Sequence, residues 1–367
     1  MIMDDSNFWK NKRVLVTGHT GFKGAWLTLL LSRMGAVVGG VALDPPTTPS
    51  LYDCASLDEL LESDSRADIA DLAGVKAAMN RFAPELVLHL AAQSLVRESY
   101  RDPLETYRTN VMGTLTVLEA ARSCPSLRAV INVTTDKCYA QRELTVPFVE
   151  TDPMGGSDPY SNSKGCSELL TDCYRRSFMQ PEGAALLASA RAGNVIGGGD
   201  WAADRLLPDG YRAFSRGEPL TIRYPKAIRP WQHVLEPLTG YLQLGRALLE
   251  GQNELATGWN FGPSTADALT VGDVATAACR IWGDGAAWVT DHEEHPHEAA
   301  WLQLDSTAAR ERLGWKTQLT AEEAVEWTIA WYRDFERGAS ARELCLEQVE
   351  RYLGRGVCPQ MAADLRR

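Results

Sequence analysis

Short apolar runs alternate with amphipathic stretches through the first half of the chain. Arg13 to Thr17, Val37 to Leu43, Leu86 to Ala91, Ala129 to Thr134 and Ala184 to Ala190 read as buried strands. Between them, Leu27, Leu30, Leu31 and Met34 recur at helical spacing and predict a helix from Gly21 to Met34. Further helices are expected over Leu72 to Phe82, ended by Pro84, and over Leu104 to Ser123. Another is expected over Tyr160 to Arg175, with Pro159 in its first turn and Ser157 or Asp158 as its cap. Apolar strands alternating with helices predict a parallel sheet covered on both faces.

The texture changes after about Gly193. A glycine- and proline-rich stretch leads to short β-rich runs, and helices return at Leu235 to Leu249, Val271 to Trp282 and Ala321 to Phe335. The tail from Glu336 is charged and helical in pattern. The expected architecture is α/β: a dinucleotide-type half over 1–192, then a smaller mixed α/β half over 193–367 that completes a cleft, with the chain free to cross between them.

Gly18, Gly21 and Gly24 fall between the first strand and the first helix. A turn without Cβ, a glycine that lets the backbone approach a pyrophosphate, and a helix N-terminus with free N–H groups make a dinucleotide site of the Rossmann type. Asp44 follows the second strand and fits either a ribose-binding acid or a turn opened by Pro45 and Pro46. Asp68 with Ile69 is placed to meet the adenine. Apart from Lys23 in the loop, nothing near the second strand reads as a pocket for a 2′-phosphate, so NAD is expected.

Tyr160 and Lys164 stand four apart on one predicted helix face. A lysine cation beside a phenol lowers the phenol toward working pH, which makes a general base for a hydroxyl. Thr134, Thr135, Asp136 and Lys137 end the Ala129 to Thr134 strand, and strand C-termini are where open α/β sheets bind ligands. Thr135 suits a substrate hydroxyl, Asp136 proton transfer, and Lys137 a cation or, with a depressed pKa, a base.

Composition narrows the partners. The 367 residues carry 37 Lys and Arg against 48 Asp and Glu, a net charge of −11. That disfavours nucleic acid and anionic membrane surfaces. The eight cysteines form no CxxC pair, and reduced thiols are expected. The acidic start without an apolar leader, and the lack of an apolar run of about 20 residues, make cytoplasmic the expected location. His292, Glu293, Glu294, His295 and His297 invite a metal reading, but Pro296 breaks the helical spacing and no metal is expected.

These segments resemble the extended short-chain dehydrogenases/reductases and, within them, the CDP-glucose 4,6-dehydratases over about residues 8–335. The likeness is carried by the loop Gly18-His19-Thr20-Gly21-Phe22-Lys23-Gly24, by Leu90-Ala91-Ala92-Gln93, by the stretch around Asn110, and by Thr134 through Tyr139. It continues through Asp158 to Lys164, Gly197-Gly198-Gly199-Asp200-Trp201, and Arg229 to Val234. The glycine loop and Tyr–Lys pair mark only the superfamily. Asp136-Lys137 and the Gly-Gly-Gly-Asp-Trp run are narrower, since relatives acting on dTDP-glucose carry Asp-Glu at the former place. Ala140-Gln141 departs from the Glu-Asn of the pattern.

The resemblance implies conversion of CDP-D-glucose to CDP-4-dehydro-6-deoxy-D-glucose and water, with tightly held NAD regenerated in each turnover. It implies that loop residues 18–24, Leu90, Ala91, Ala92, Gln93, Asn110, Thr134, Tyr160 and Lys164 hold the cofactor. Gln93, Thr135, Asn194, Arg205, Arg229 and His297 would hold the substrate. It further implies a homodimer or homotetramer paired through the helices at 104–123 and 160–175, and products destined for deoxysugars of surface polysaccharides. The alternatives are a nucleotide-sugar 4-epimerase, a 4,6-dehydratase of another nucleotide-glucose, and a non-catalytic NAD-binding regulator.

Overall fold

A computed structural model describes residues 5–142, 146–179, 183–264, 267–291 and 302–355. His292, His295 and His297, with the metal reading and the substrate role of His297, lie outside the described residues.

A seven-stranded parallel sheet runs through the core. Its strands are β1 (Arg13–Thr17), β2 (Val37–Ala42), β3 (Leu61–Arg66), β4 (Leu86–His89), β5 (Ala129–Thr134), β6 (Leu186–Arg191) and β7 (Gly258–Asn260), in the spatial order β7-β6-β5-β4-β1-β2-β3. The order reverses between β1 and β4, so the strand C-termini there open a crevice. β7 comes from the second half of the sequence, so the chain returns to finish the sheet. β3 had no signal in the hydrophobic pattern. Leu-Glu-Ser-Asp-Ser-Arg is polar because it is an edge strand, half-exposed along its length.

The helix Phe22–Arg33 is buried from Gly24 to Leu31. An element apolar all round must be covered on both sides. Here the sheet covers one side, and the tail helix Ala341–Arg355 packs on the other, with Arg33 paired to Glu350. Burying each of Leu27, Leu29, Leu30 and Leu31 contributes about 1.5–3 kcal/mol. The tail helix is held from inside by Glu236, whose buried carboxylate accepts hydrogen bonds from the Leu319 amide at 2.8 Å and the Tyr352 hydroxyl at 2.6 Å.

The expected single helix from Leu104 to Ser123 divides. Pro103–Tyr107 runs through a π-helical turn, Arg108–Gly113, into Thr114–Arg122. The Thr114 hydroxyl donates to the Asn110 carbonyl at 2.7 Å, competing with the regular helix bond. The widened turn aims the Asn110 amide at the loop after β4, where it accepts from the Gln93 N–H and donates to the Gln93 carbonyl, both at 2.9 Å. The Tyr160 helix spans Pro159–Phe178, and Asp158 is its cap, accepting from the Ser161 N–H at 2.9 Å.

Candidate active site

A cleft of about 1430 Å³ opens along the C-terminal ends of the strands. On one side are the glycine loop, Asp44, Asp68, Ile69 and Leu90 through Gln93. On its floor are Thr134, Thr135, Asp136, Lys137, Tyr160 and Lys164, and Asn194, Arg205 and Arg229 face them from the second half. His19 and Asn110 do not line it. His19 is fully buried, 2.9 Å from Asp64, and Asn110 braces Gln93 from behind.

The glycine loop is built by close approach. Gly18 sits at φ +75°, and a Cβ there would lie 2.7 Å from the Ala91 nitrogen. A Cβ on Gly24 would lie 2.2 Å from the Gly18 carbonyl oxygen, so the third glycine lets the helix start against the loop. Gly21 caps that helix without a side-chain hydrogen bond. The first N–H groups thus face the cleft, which suits an anion. At the far end, Asp44 is almost fully exposed, and Asp68 is tied to Arg108 and to the Ala70 N–H. Arg66 turns to Asp64 at 3.0 Å and does not line the cleft.

At the floor, the Thr135 hydroxyl donates to Asp136 Oδ1 at 2.9 Å and also hydrogen-bonds the Tyr160 phenol. Asp136 is 1% exposed, and its Oδ2 has no partner among the described residues. Lys137, half-buried in the turn Asp136–Cys138, has no carboxylate partner among the described residues. Lys164 donates to the Val133 carbonyl at 3.4 Å, and burial lowers its pKa to about 8.

The expectation that Lys164 lowers the phenol is corrected here. Burial, the largest influence, pushes Tyr160 up to about 12; Thr135 and Arg205 pull it down, and Asp136 pushes it further up. Lys164 is turned to the strand carbonyl and does not offset the burial. Tyr160 therefore needs further positive charge in the cleft to act as a base near neutrality.

Arg205 spans the cleft mouth, with 2.7 Å to Asp200 and 3.0 Å to the Ser94 hydroxyl. The Gln93 side chain folds onto its own loop, donating to Thr106 at 2.9 Å and to the Leu95 carbonyl at 3.1 Å. Arg229 is buried and donates to the Ile228 carbonyl at 3.0 Å. Ala140 lies against Gly155, where a glycine Cβ would come within 2.8 Å of the Ala140 Cα, and Gln141 reaches the cleft edge. Two features were missed in the sequence. Asp200 anchors Arg205, and Glu168 stands one turn beyond Lys164. The 160, 164, 168 spacing carried the second signal.

This fold, with a Tyr–Lys pair and a Thr-Asp-Lys turn on one cleft, defines a nucleotide-sugar-modifying short-chain dehydrogenase/reductase. The chain belongs to the family described as GDP-mannose 4,6 dehydratase, whose profile matches residues 15–328. It is 48% identical over 355 residues to a CDP-glucose 4,6-dehydratase of Salmonella typhimurium, covering 96% of this chain and 99% of that one. Among solved structures, an epimerase of Methanothermobacter thermautotrophicus is similar at TM-score 0.78 and 23% identity, covering 92% of this chain and 98% of that chain. A dTDP-glucose 4,6-dehydratase of Bacillus anthracis in complex with NAD is similar at TM-score 0.73 and 20% identity, covering 89% and 98%. At those identities the two structures bear on the fold.

Proposed function

We propose that this chain is an NAD-dependent hydro-lyase that converts CDP-D-glucose to CDP-4-dehydro-6-deoxy-D-glucose and water. The observation that carries the reading is the Asp136-Lys137 turn beside Tyr160 in a chain so alike, end to end, to a CDP-glucose 4,6-dehydratase. The complete proton-handling set disfavours a non-catalytic regulator.

The cradle fits NAD: an uncapped helix N-terminus, a glycine turn, and open space at Gly21, where a Cβ would meet only the Gly18 carbonyl at 3.4 Å. Held by the glycine loop, NAD would supply a hydride acceptor for C4 and a hydride donor for C6 within one turnover, and positive charge beside the phenol. Tyr160 takes the C4 hydroxyl proton, and Thr135 holds that oxygen. With C4 a ketone, the C5 hydrogen is acidic, and water leaves across C5–C6. Asp136 protonates the departing C6 hydroxyl, and Lys137 takes the C5 proton and returns it to C5 when C6 receives hydride. Arg205 and Arg229 hold the diphosphate, since guanidinium suits bidentate phosphate binding.

The test is mass spectrometry of products from CDP-, UDP-, GDP- and dTDP-glucose, each incubated with purified protein and no added NADH. A 4-keto-6-deoxy product from CDP-glucose above all others is expected. A C4 epimer, or no product, overturns the reading.

Lys23 gives the reading a pH signature. Burial first, then Arg205 and Lys164, lower it to about 7, while Asp136 raises it. An anion at the glycine loop raises Lys23, so binding takes up a proton above pH 7. NAD affinity should then fall as pH rises from about 7 to 9, by up to about tenfold per unit. Calorimetry in two buffers of different ionisation enthalpy should show that uptake in the wild type and its loss in Lys23→Met.

Leu104, Met112, Leu169 and Phe178 are exposed apolar residues on the two neighbouring helical segments, which are joined by Tyr107 to Asn162 at 2.7 Å. They support pairing of copies through this face. Among the described residues no helix is long and apolar enough to cross a membrane. A cytoplasmic enzyme supplying deoxysugars for surface polysaccharides is the setting we propose.

A further inference from the structure

We infer that Glu168, which does not line the cleft, is a positioning residue that ties the helix carrying Tyr160 and Lys164 to the Thr134–Asp136 end of β5 and fixes a negative charge one helical turn from Lys164. The inference rests on the dehydratase reading for its kinetic part.

The geometry is a buried network. One Glu168 oxygen accepts from the Thr134 hydroxyl, at the residue before Thr135-Asp136. The other accepts from the Ser189 hydroxyl at 2.7 Å and from Arg191 at 2.8 Å. Arg191 also donates to the Tyr139 hydroxyl at 2.6 Å and to the Glu150 carbonyl at 3.1 Å, and Tyr139 donates to Asn260 at 2.6 Å. One ion pair thus ties the Tyr160 helix to the end of β5, to the turn after it, to β6 and to β7. Both partners are almost fully buried, at 3% and 6% side-chain exposure.

Stability alone is a weak reason for such a pair, because well-packed apolar residues often do as well or better. Arg191 Nε is moreover buried without a partner among the described residues. What apolar residues cannot supply is a fixed negative charge one helical turn from Lys164. Of the groups that raise Lys164, Glu168 acts most strongly and Cys138 second. Tyr160 is on its own helix. The Val133 carbonyl and the Cys138 thiol come from the end of β5 and its turn. His89 of β4 and Lys23 of the first helix add no negative charge. Glu168 is the carboxylate that raises Lys164 against the lowering by burial.

The experiment compares wild type, Glu168→Gln and the double variant Glu168→Gln/Arg191→Met. Glu168→Gln keeps an acceptor for Thr134 or Ser189 but strands Arg191, so its Tm should fall. The double variant removes both charges and should recover most of that Tm. Acetic anhydride labelling of Lys164 against pH, read by mass spectrometry, follows its ionisation without turnover. Both variants should show a lower labelling midpoint than wild type. Both should lose kcat on CDP-glucose by about 3- to 10-fold at pH 8.5, with KM within about threefold. An unchanged midpoint, or a double variant that regains wild-type Tm and wild-type pH profile together, overturns the inference. Failure of both variants to fold assigns the pair to the fold and overturns it too. Should wild type turn over no nucleotide-glucose, the dehydratase reading fails, while labelling still decides the role of Glu168.

Discussion

Tyr160→Phe lowers kcat on CDP-glucose by about 10²- to 10⁴-fold, the range for removing a positioned acid or base, and leaves Tm within a few degrees. The phenol is the group at the cleft floor that reaches Thr135 and stands among Asp136, Arg205 and Asp158. Loss of its hydroxyl removes the acceptor for the C4 proton while the ring still fills its place, 8% exposed, on the helix. The wild-type profile carries a further sign. A phenol that burial raises to about 12 needs added positive charge beside it to deprotonate near neutrality. The acid limb of kcat, which reports the complex, should therefore lie well below that value, and should be absent from the residual activity of the Phe variant. Residual activity above about a tenth of wild type would remove Tyr160 from the proposed role.

Gly193→Ala is the second large effect, and it needs no chemical assumption about the substrate. A Cβ on Gly193 would lie 1.8 Å from Asp136 Oδ2 and 2.1 Å from its Cγ. Real atoms do not approach so closely, so the carboxylate must rotate away or the β6 exit must shift. Either movement breaks the 2.9 Å bond from Thr135 to Asp136. The expected result is a fall in kcat of about 10²-fold or more, because misplacement by about 1 Å costs on that scale. Steady-state kinetics on CDP-glucose checks it. A Gly193→Ala enzyme with wild-type kcat would show that Asp136 is not held where this structure holds it.

Much of this cleft was legible in the chain as text. Continuous apolar runs located β1, β2, β4, β5 and β6, because strands buried on both faces must be apolar throughout. The glycines at 18 and 24 announced the loop because backbone contacts of 2.2–2.7 Å to a missing Cβ leave no other residue type. Asp158 and Pro159 announced the helix that carries Tyr160 and Lys164. β3 was silent because an edge strand need not be apolar. The π turn at Arg108–Gly113 was silent because Thr114 competes for a carbonyl only once the Gln93 loop is in place. Glu168 acquires its role only where β6 brings Arg191 within 2.8 Å of it.

Taken alone, the sequence determined the alternation of strands and helices, the anion-binding loop and the residue types on the catalytic helix, because each follows from local spacing and backbone sterics. Tertiary structure decided what those residues are able to do. It set the phenol high by burying it, and turned Lys164 toward Val133. It left one Asp136 oxygen facing Gly193, and drew Arg205 across the mouth to Ser94. These are consequences of desolvation and of charges that meet from distant parts of the chain, and neither is written in any local window of residues.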